Sequence, residues 1–423
     1  MEHESPRQKI KRIAPTLLRE GSLYFGLAAI FGIGCFASET FLTVDNQMAV
    51  LRQVSENGIL AVGMTLVILT AGIDLSVGRM LGLGSTLAAM LLVGKGWTAA
   101  AWVALPLGAA GGGILLAVAA RSWLAGERKG GEASVVSGVA FAVGATALLL
   151  WIAPQVSSGV SIFAVLVVVP LAGLVLGGLS GVIIAKCRLQ PFIVTLAVMT
   201  AAYGAARLIA SSGDGGYIHS LYDREGKVPP RVDWFRMIGA TGYGKTLEVE
   251  SPRGKMEPPR GWSARSIVYW FPIPGLFFLV CLGVGAFILQ YLRFGRYLYA
   301  IGGNEETARL SGIHVDRVKI SVYAISGMLS FLAGVLACAQ YSQGKPDMGQ
   351  MAELDAIAAV VIGGTSLMGG RGRMVGTLVG VLIFGYLTNI LSLRGVSTDI
   401  QLFVTGIIIV VAVLLQESFG RRR

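Results

Sequence analysis

Charge is scarce in this chain. Only 14% of its 423 residues are Asp, Glu, Lys or Arg, against about 25% in soluble globular domains. A soluble protein with a solvated surface is excluded by that shortage. Metal-ligand chemistry is sparse too. The three histidines, His3, His219 and His314, are scattered, and the four cysteines, Cys35, Cys187, Cys281 and Cys338, sit in or beside separate apolar segments without paired spacing. No metal centre and no disulfide framework is expected from such a set. Carboxylates are almost missing from the apolar stretches. Only Asp74 and Glu56 stand where an ion-coupled carrier would need them.

Long apolar runs are present instead, with 54% hydrophobic residues and a mean hydropathy of +0.69. Ile59 to Ala71, Val160 to Ala185 and Gly275 to Leu292 carry almost no charge, and several runs approach the roughly 20 residues of a spanning helix. The 58 glycines fit helices that approach closely within a bilayer. The expected fold is an all-α, polytopic integral membrane protein in two weakly related halves, with about 10–12 transmembrane helices. The segments are placed at 23–43, 56–72, 79–95, 99–120, 134–152, 160–185, 191–210, 267–292, 318–340, 354–368, 374–392 and 399–417. Residues 1–22 form a basic tail, 23–210 a first membrane half, 211–266 one long polar loop and 267–423 a second half. The stretches around 56–95 and 354–392 are short and glycine-interrupted, which predicts broken or re-entrant helices among them.

Basic residues set the orientation, because short cytoplasmic loops collect Lys and Arg. One side gathers Arg7, Lys9, Lys11, Arg12, Arg19, Arg121, Arg128, Lys129, Lys186, Arg188, Arg293, Arg296, Arg309, Arg317, Lys319, Arg371, Arg373 and Arg421 to Arg423. The other short loops hold only Arg52, Lys95, Lys345 and Arg394. Both termini are therefore expected in the cytoplasm of a bacterial inner membrane, with the 211–266 loop outside. The formal charge of +11 then belongs to topology and anionic lipid. A nucleic-acid partner is not expected.

The polar loop contains GATGYGKT, a complete P-loop pattern at residues 239–246. Three prolines, Pro252, Pro258 and Pro259, bar the long helix that a P-loop must open. The external placement also keeps it from ATP, so the stretch reads as a glycine turn, with DWFRMIG and KTLEVE as candidate hairpin strands.

Two interrupted stretches point to transport. VGMTLVILTAGIDLSVG at 62–78 carries Asp74 and Ser76 inside an apolar run, and ELDAIAAVVIGGTSLMGGRGR at 353–373 carries Gly363, Gly364, Thr365 and Ser366. Aligning them matches Gly72 with Gly364, Leu75 with Leu367 and Gly78 with Gly370. Paired interrupted helices in two halves mark transport folds built from repeats. The alternative is that Asp74 and Thr365 or Ser366 cap helix ends near the cytoplasmic surface. FGRYLYAIGGNEETARLSGI at 294–313 carries a different signal. Gly302 and Gly303 are expected to turn, Asn304 to cap a short helix, Glu305 and Glu306 to occupy its first turn, and Gly312 to end it. About two turns of helix, with Arg309 and Leu310 on it, are too short to stand alone in water.

GRYLYAIGGNEETARLSGI, ELDAIAAVVIGGTSLMGG, AVGMTLVILTAGIDLSVG and PFIVTLAVMT at 191–200 resemble the permease subunits of bacterial ABC importers for monosaccharides. The resemblance runs from about residue 45 to 417. It implies a permease dimer, either homodimeric or paired with a relative, without catalytic residues or a cofactor of its own. It implies a cytoplasmic ATPase and a periplasmic sugar-binding protein as partners, with ribose, xylose or a similar sugar as substrate. By the same resemblance Gly302 to Ile313 couples to the ATPase, and Asp74, Ser76, Gly363, Gly364, Thr365 and Ser366 lie along the inner part of the route. Nucleosides and cyclic signalling molecules remain alternative substrates, and an ion-coupled carrier an alternative mechanism. Two departures stand out: an additional helix pair around 99–152, including RSWLAGERKGGE, and the external loop, whose Trp234, Phe235 and Trp262 are candidate contacts for the binding protein. Arg207 reads as snorkelling to the interface.

Overall fold

The computed structural model describes residues 23–93, 162–210, 219–221 and 272–420, with positions 232, 235, 238, 239, 250, 251, 254 and 255 of the long loop. The expected tail 1–22 and the segments 99–120 and 134–152 lie outside the described residues.

Helix α1 covers Leu23–Ala37. Helix α2, Val44–Leu69, begins twelve residues before the expected 56, behind the N-cap Thr43. The early start was hidden by polar residues that find partners rather than lipid. Asn46 and Asn389 exchange amide hydrogen bonds at 3.1 and 2.9 Å, and Tyr386 donates to Gln47 at 2.8 Å. Helices α3, Val77–Val93, α4, Ile162–Lys186, and α5, Pro191–Ala210, follow. After the loop come α6, Ile273–Tyr291, α7, Arg293–Gly303, and α8, Glu305–Leu310. Helix α9, Val315–Tyr341, is followed by α10, Ala352–Ile362, α11, Met374–Leu393, and α12, Thr398–Gly420. Among the described residues, five helices, α4, α5, α6, α9 and α11, are long and apolar enough to cross a membrane. The protein is an all-α, polytopic membrane protein. At 11 residues, α10 is too short to span and ends at the glycines Gly363 and Gly364; α11 is uninterrupted despite its own.

Helix α9 is the central element, most of it buried, packed on α4, α3 and α2. Its contact with α4 is made by glycines. A methyl group on Gly173 would strike the Gly327 carbonyl, and one on Gly177 the Tyr323 carbonyl. Spaced four apart with Gly181, they let two backbones meet without side chains between them. The outer faces of α4, α5 and α6 expose Phe163, Leu171, Phe192, Ile193, Leu276 and Phe287, as lipid-facing surfaces do.

Helix α9 separates two faces. At its C-terminal end lies the long loop, where strand β1, His219–Ser220, pairs antiparallel with β4, Gln343–Gly344, and β2, Glu250–Ser251, pairs with β3, Gly254–Lys255. At its N-terminal end lies α8. The loop corrects one expectation: Val232, Phe235, Ile238 and Gly239 are helical, not a strand of DWFRMIG. The spacing of three between Val232, Phe235 and Ile238 is a helical face, and Val232 and Phe235 are fully buried beside Phe331, Val335 and Ala339. The remainder of the P-loop pattern, 240–246, lies outside the described residues.

Candidate functional site

The short helix α8 is built as its residues dictate. Asn304, extended at φ −161°, accepts from the Thr307 N–H at 2.9 Å through Oδ1, and Glu305 and Glu306 fill the first turn. At the other end Gly312, at φ +83°, donates to the Arg309 carbonyl, and Ile313 donates to Ala308, both at 3.1 Å. This pair of bonds is a Schellman closure, which needs the left-handed residue that glycine supplies. Gly302 and Gly303 do not form the expected turn; both are the last residues of α7, and Asn304 alone redirects the chain.

Ion pairs orient α8 against its neighbours. Lys319 pairs with Glu305, and Arg309 with Glu305 and Asp316. Lys186, at the end of α4, reaches Asp316 at 3.7 Å. The hydrogen bond with Asp316 raises the Arg309 pKa further above its usual range. Exposed pairs of this kind contribute about 0.2–1 kcal/mol each, so orientation is their main work. Glu306 forms no ion pair among the described residues, and Leu310 is 84% exposed. After the end of α8, at Gly312 and Ile313, opens a cleft of about 290 Å³ also lined by Phe294, Tyr297, His314 and Arg317.

The stronger mount is backbone against backbone. A Cβ on Gly302 would collide with the Leu69 carbonyl at the end of α2 and with the Gly370 N–H. Gly370 itself donates to Leu69 at 3.0 Å, and Gly369 and Gly370 hold φ of +83° and +68°. The Tyr299 hydroxyl, its pKa raised by partial burial, donates to the Gly372 carbonyl at 2.8 Å. The root of α8, the end of α2 and the turn between α10 and α11 therefore meet in one joint.

From that joint the chain continues as an irregular stretch with turns at both ends, residues 70–76. Asp74 is 2% exposed. Its Oδ1 accepts from the Ser76 N–H at 3.0 Å and the Ser76 hydroxyl at 2.6 Å, and its Oδ2 from Ser326 at 2.8 Å. Ser326 lies close to the midpoint of α9, so Asp74 and Ser76 cap the start of α3 well inside the protein rather than at its surface. Opposite, the chain returns from β4 as an irregular stretch, residues 345–351, and starts α10. Gly78 of α3 lies against the Gly349 carbonyl and Glu353 of α10. Two half-helices thus begin at one depth and run to opposite faces, the arrangement that places helix N-termini at a transport route. Irregular backbone at that depth is tolerated only against protein or a watery cavity.

Gly363, Gly364, Thr365 and Ser366 lie elsewhere. They follow α10 toward the α8 face, with Gly363 pressed on the Gly376 carbonyl and Gly372 on the Thr365 side chain. Gly364, at φ +86°, is exposed. The structure joins the two motifs at Ala71 and Gly369, not at Asp74, and the aligned Gly78 and Gly370 sit at different depths. Ser326 and Asp316 are missing from the sequence reading, and Lys186 and Glu353 stand in it without their partners, because no local pattern marks a contact more than a hundred residues away. Among the described residues no cluster of His, Cys, Asp and Glu is placed to hold a metal.

A family described as the branched-chain amino acid transport system/permease component matches residues 113–413. The ribose import permease protein of Haemophilus influenzae is 34% identical over 423 residues, covering 100% of this chain and 99% of that one. That of Escherichia coli K12 is 35% identical over 401 residues, covering 95% and 94%. The xylose transport system permease protein of the same strain is 32% identical over 423 residues, covering 94% and 92%. No solved structure matches the chain.

Proposed function

Because this chain belongs to the branched-chain amino acid transport system/permease component family, we propose that it is the membrane subunit of an ATP-driven importer of a monosaccharide. The ribose and xylose permeases that resemble it over nearly their whole length make those pentoses the first substrates to test. ATP is hydrolysed by a separate cytoplasmic subunit, and a periplasmic protein delivers the sugar to the loop face. The α8 face is cytoplasmic, as are both termini, and a second copy of the chain completes the route.

The observation that carries this reading is the joint at Gly302. Helix α8 is exposed, capped at both ends and rigidly tied to the ends of α2 and α10. A displacement of α8 by the ATPase therefore reaches the two stretches that lead to the half-helices. Closure of the ATPase dimer draws α8 of each copy inward, and the half-helix junction opens to one face or the other. Such a switch moves only through contacts that differ between its two states. Few fixed charges along the route suit a solute that offers hydroxyls.

Replacing Glu306 with Arg, or Leu310 with Asp, tests the coupling role. Either substitution is expected to lower ATP-driven uptake of the labelled pentose at least tenfold and to weaken co-purification of the ATPase. Monodisperse behaviour in detergent should be unchanged, since neither side chain is buried. Normal uptake by both variants would remove α8 from the coupling path.

A further inference from the structure

A polar cluster lies beside the junction of the two half-helices. Arg79, near the start of α3, places its guanidinium 4.3 Å from the centre of the Tyr203 ring on α5. Its Nη1 stands 3.7 Å from Asp347 Oδ1, and the Tyr203 hydroxyl donates to that oxygen at 2.9 Å. Glu353, nine-tenths buried, adds an Oε2 with no hydrogen-bond partner, pressed against Gly78. The Asp347 side chain remains 56% exposed.

Depth gives these contacts their meaning. The Pro346 and Met348 carbonyls, on either side of Asp347, approach Gly82, and the neighbouring Leu81 carbonyl approaches Gly334. Gly334 lies about 10 Å short of the loop-side end of α9, which is about 40 Å long and exceeds the roughly 30 Å hydrocarbon core. Asp347 therefore lies about two turns of α9 inward from its loop-side end, in the half of the helix nearer the loop. A carboxylate exposed there faces water or protein, not lipid.

We propose that Arg79, Tyr203 and Asp347 form a hydroxyl-recognition site for the transported solute, a neutral cyclic polyol, on the loop-side half of the route. The inference rests on the sugar reading above and gives it a place in the membrane. Asp347 Oδ2 forms no hydrogen bond among the described residues and can accept from hydroxyls, while the guanidinium of Arg79, its Nη1 buried without a hydrogen-bond partner, supplies the charge that balances the carboxylate. The Tyr203 ring supplies an apolar edge for sugar C–H groups, and the Arg79 stack on it holds the ring in place. Arg79 pairs with Asp347, and Arg207, 5.6 Å from the centre of the Tyr203 ring, and Glu353 add one charge of each sign, so an inorganic ion would meet a balanced cluster. A solute rich in hydroxyls can join the pair without breaking it.

The test uses the full complex in proteoliposomes with ribose and xylose as probes. In a chain whose four native cysteines are replaced by serine, Asp347→Cys should react with a charged, water-soluble thiol reagent, and turnover with either sugar should slow that reaction at least threefold. Phe287→Cys, on the lipid-facing surface, is the unreactive control. Asp347→Asn, close in shape, should lower sugar uptake at least tenfold while ATP hydrolysis stimulated by the binding protein stays within twofold. An unreactive position 347, or uptake by Asp347→Asn equal to that of the original chain, overturns the site. Failure of the unsubstituted complex to import either sugar defeats the importer reading and the site with it, and is told apart because no substitution is needed to see it.

Discussion

Asp74 shows how a buried charge can serve the structure rather than the solute. Both of its oxygens are occupied, by Ser76 and by Ser326, so it ties the start of α3 to the middle of α9. An ion-coupled carrier working through Asp74 would need that carboxylate open to a pathway. Among glycines the same distinction separates neighbours. A Cβ on Gly302 meets backbone on two sides, whereas one on Gly303 meets nothing within 4 Å. Gly302→Ala is therefore expected to cost about 1–3 kcal/mol and to lower both the unfolding midpoint in detergent and the uptake rate. Gly303→Ala should change stability by less than about 0.5 kcal/mol. Thermal unfolding of the two variants side by side checks the joint, and equal behaviour would contradict it.

At the scale of elements, close packing of α4 on α9 makes an equally local prediction. Gly177 lies against the Tyr323 carbonyl and Gly327, while Gly178, one residue on, has only the Ala324 methyl at 3.7 Å. Gly177→Ala should force the helices apart and reduce the yield of monodisperse protein several-fold; Gly178→Ala should leave it unchanged, as size-exclusion profiles would record. Most of these elements were legible in the sequence. Long apolar runs marked α4, α5, α6 and α9 to within a few residues, and the Asn304, Glu305 and Gly312 pattern marked α8. The polar first half of α2 was not, because Asn46 and Gln47 are satisfied by Asn389 and Tyr386, more than three hundred residues away. The helical residues Val232, Phe235, Ile238 and Gly239 were misread as part of a strand region because nothing in the loop's own sequence hinted that Phe235 would be buried beside α9. Asp74 and Ser76 were legible as an interruption, but their depth was not, since only the Ser326 contact sets it.

At the scale of the whole molecule, the charge pattern and the fold agree. Lys186, Arg309 and Lys319, grouped on one side by the sequence, do gather at the α8 end of α9 through Asp316 and Glu305. Arg52, assigned to the other side, donates to the Gly239 carbonyl of the long loop at 3.3 Å. The two faces thus differ in kind: a basic one carrying a short, exposed helix, and one where the described residues of the long loop meet Arg52 and the end of α9. Between them the half-helices α3 and α10 start from a common depth, and the joint at Gly302 ties one face to that junction.

The most direct measurement is uptake of labelled ribose and xylose by proteoliposomes holding this chain with its co-purified ATPase and a sugar-loaded binding protein, with ATP supplied on the α8 face. The account predicts accumulation of one of the pentoses that requires ATP and both partners, with none by the chain alone. Uptake by the isolated chain that follows an ion gradient and ignores ATP would contradict it.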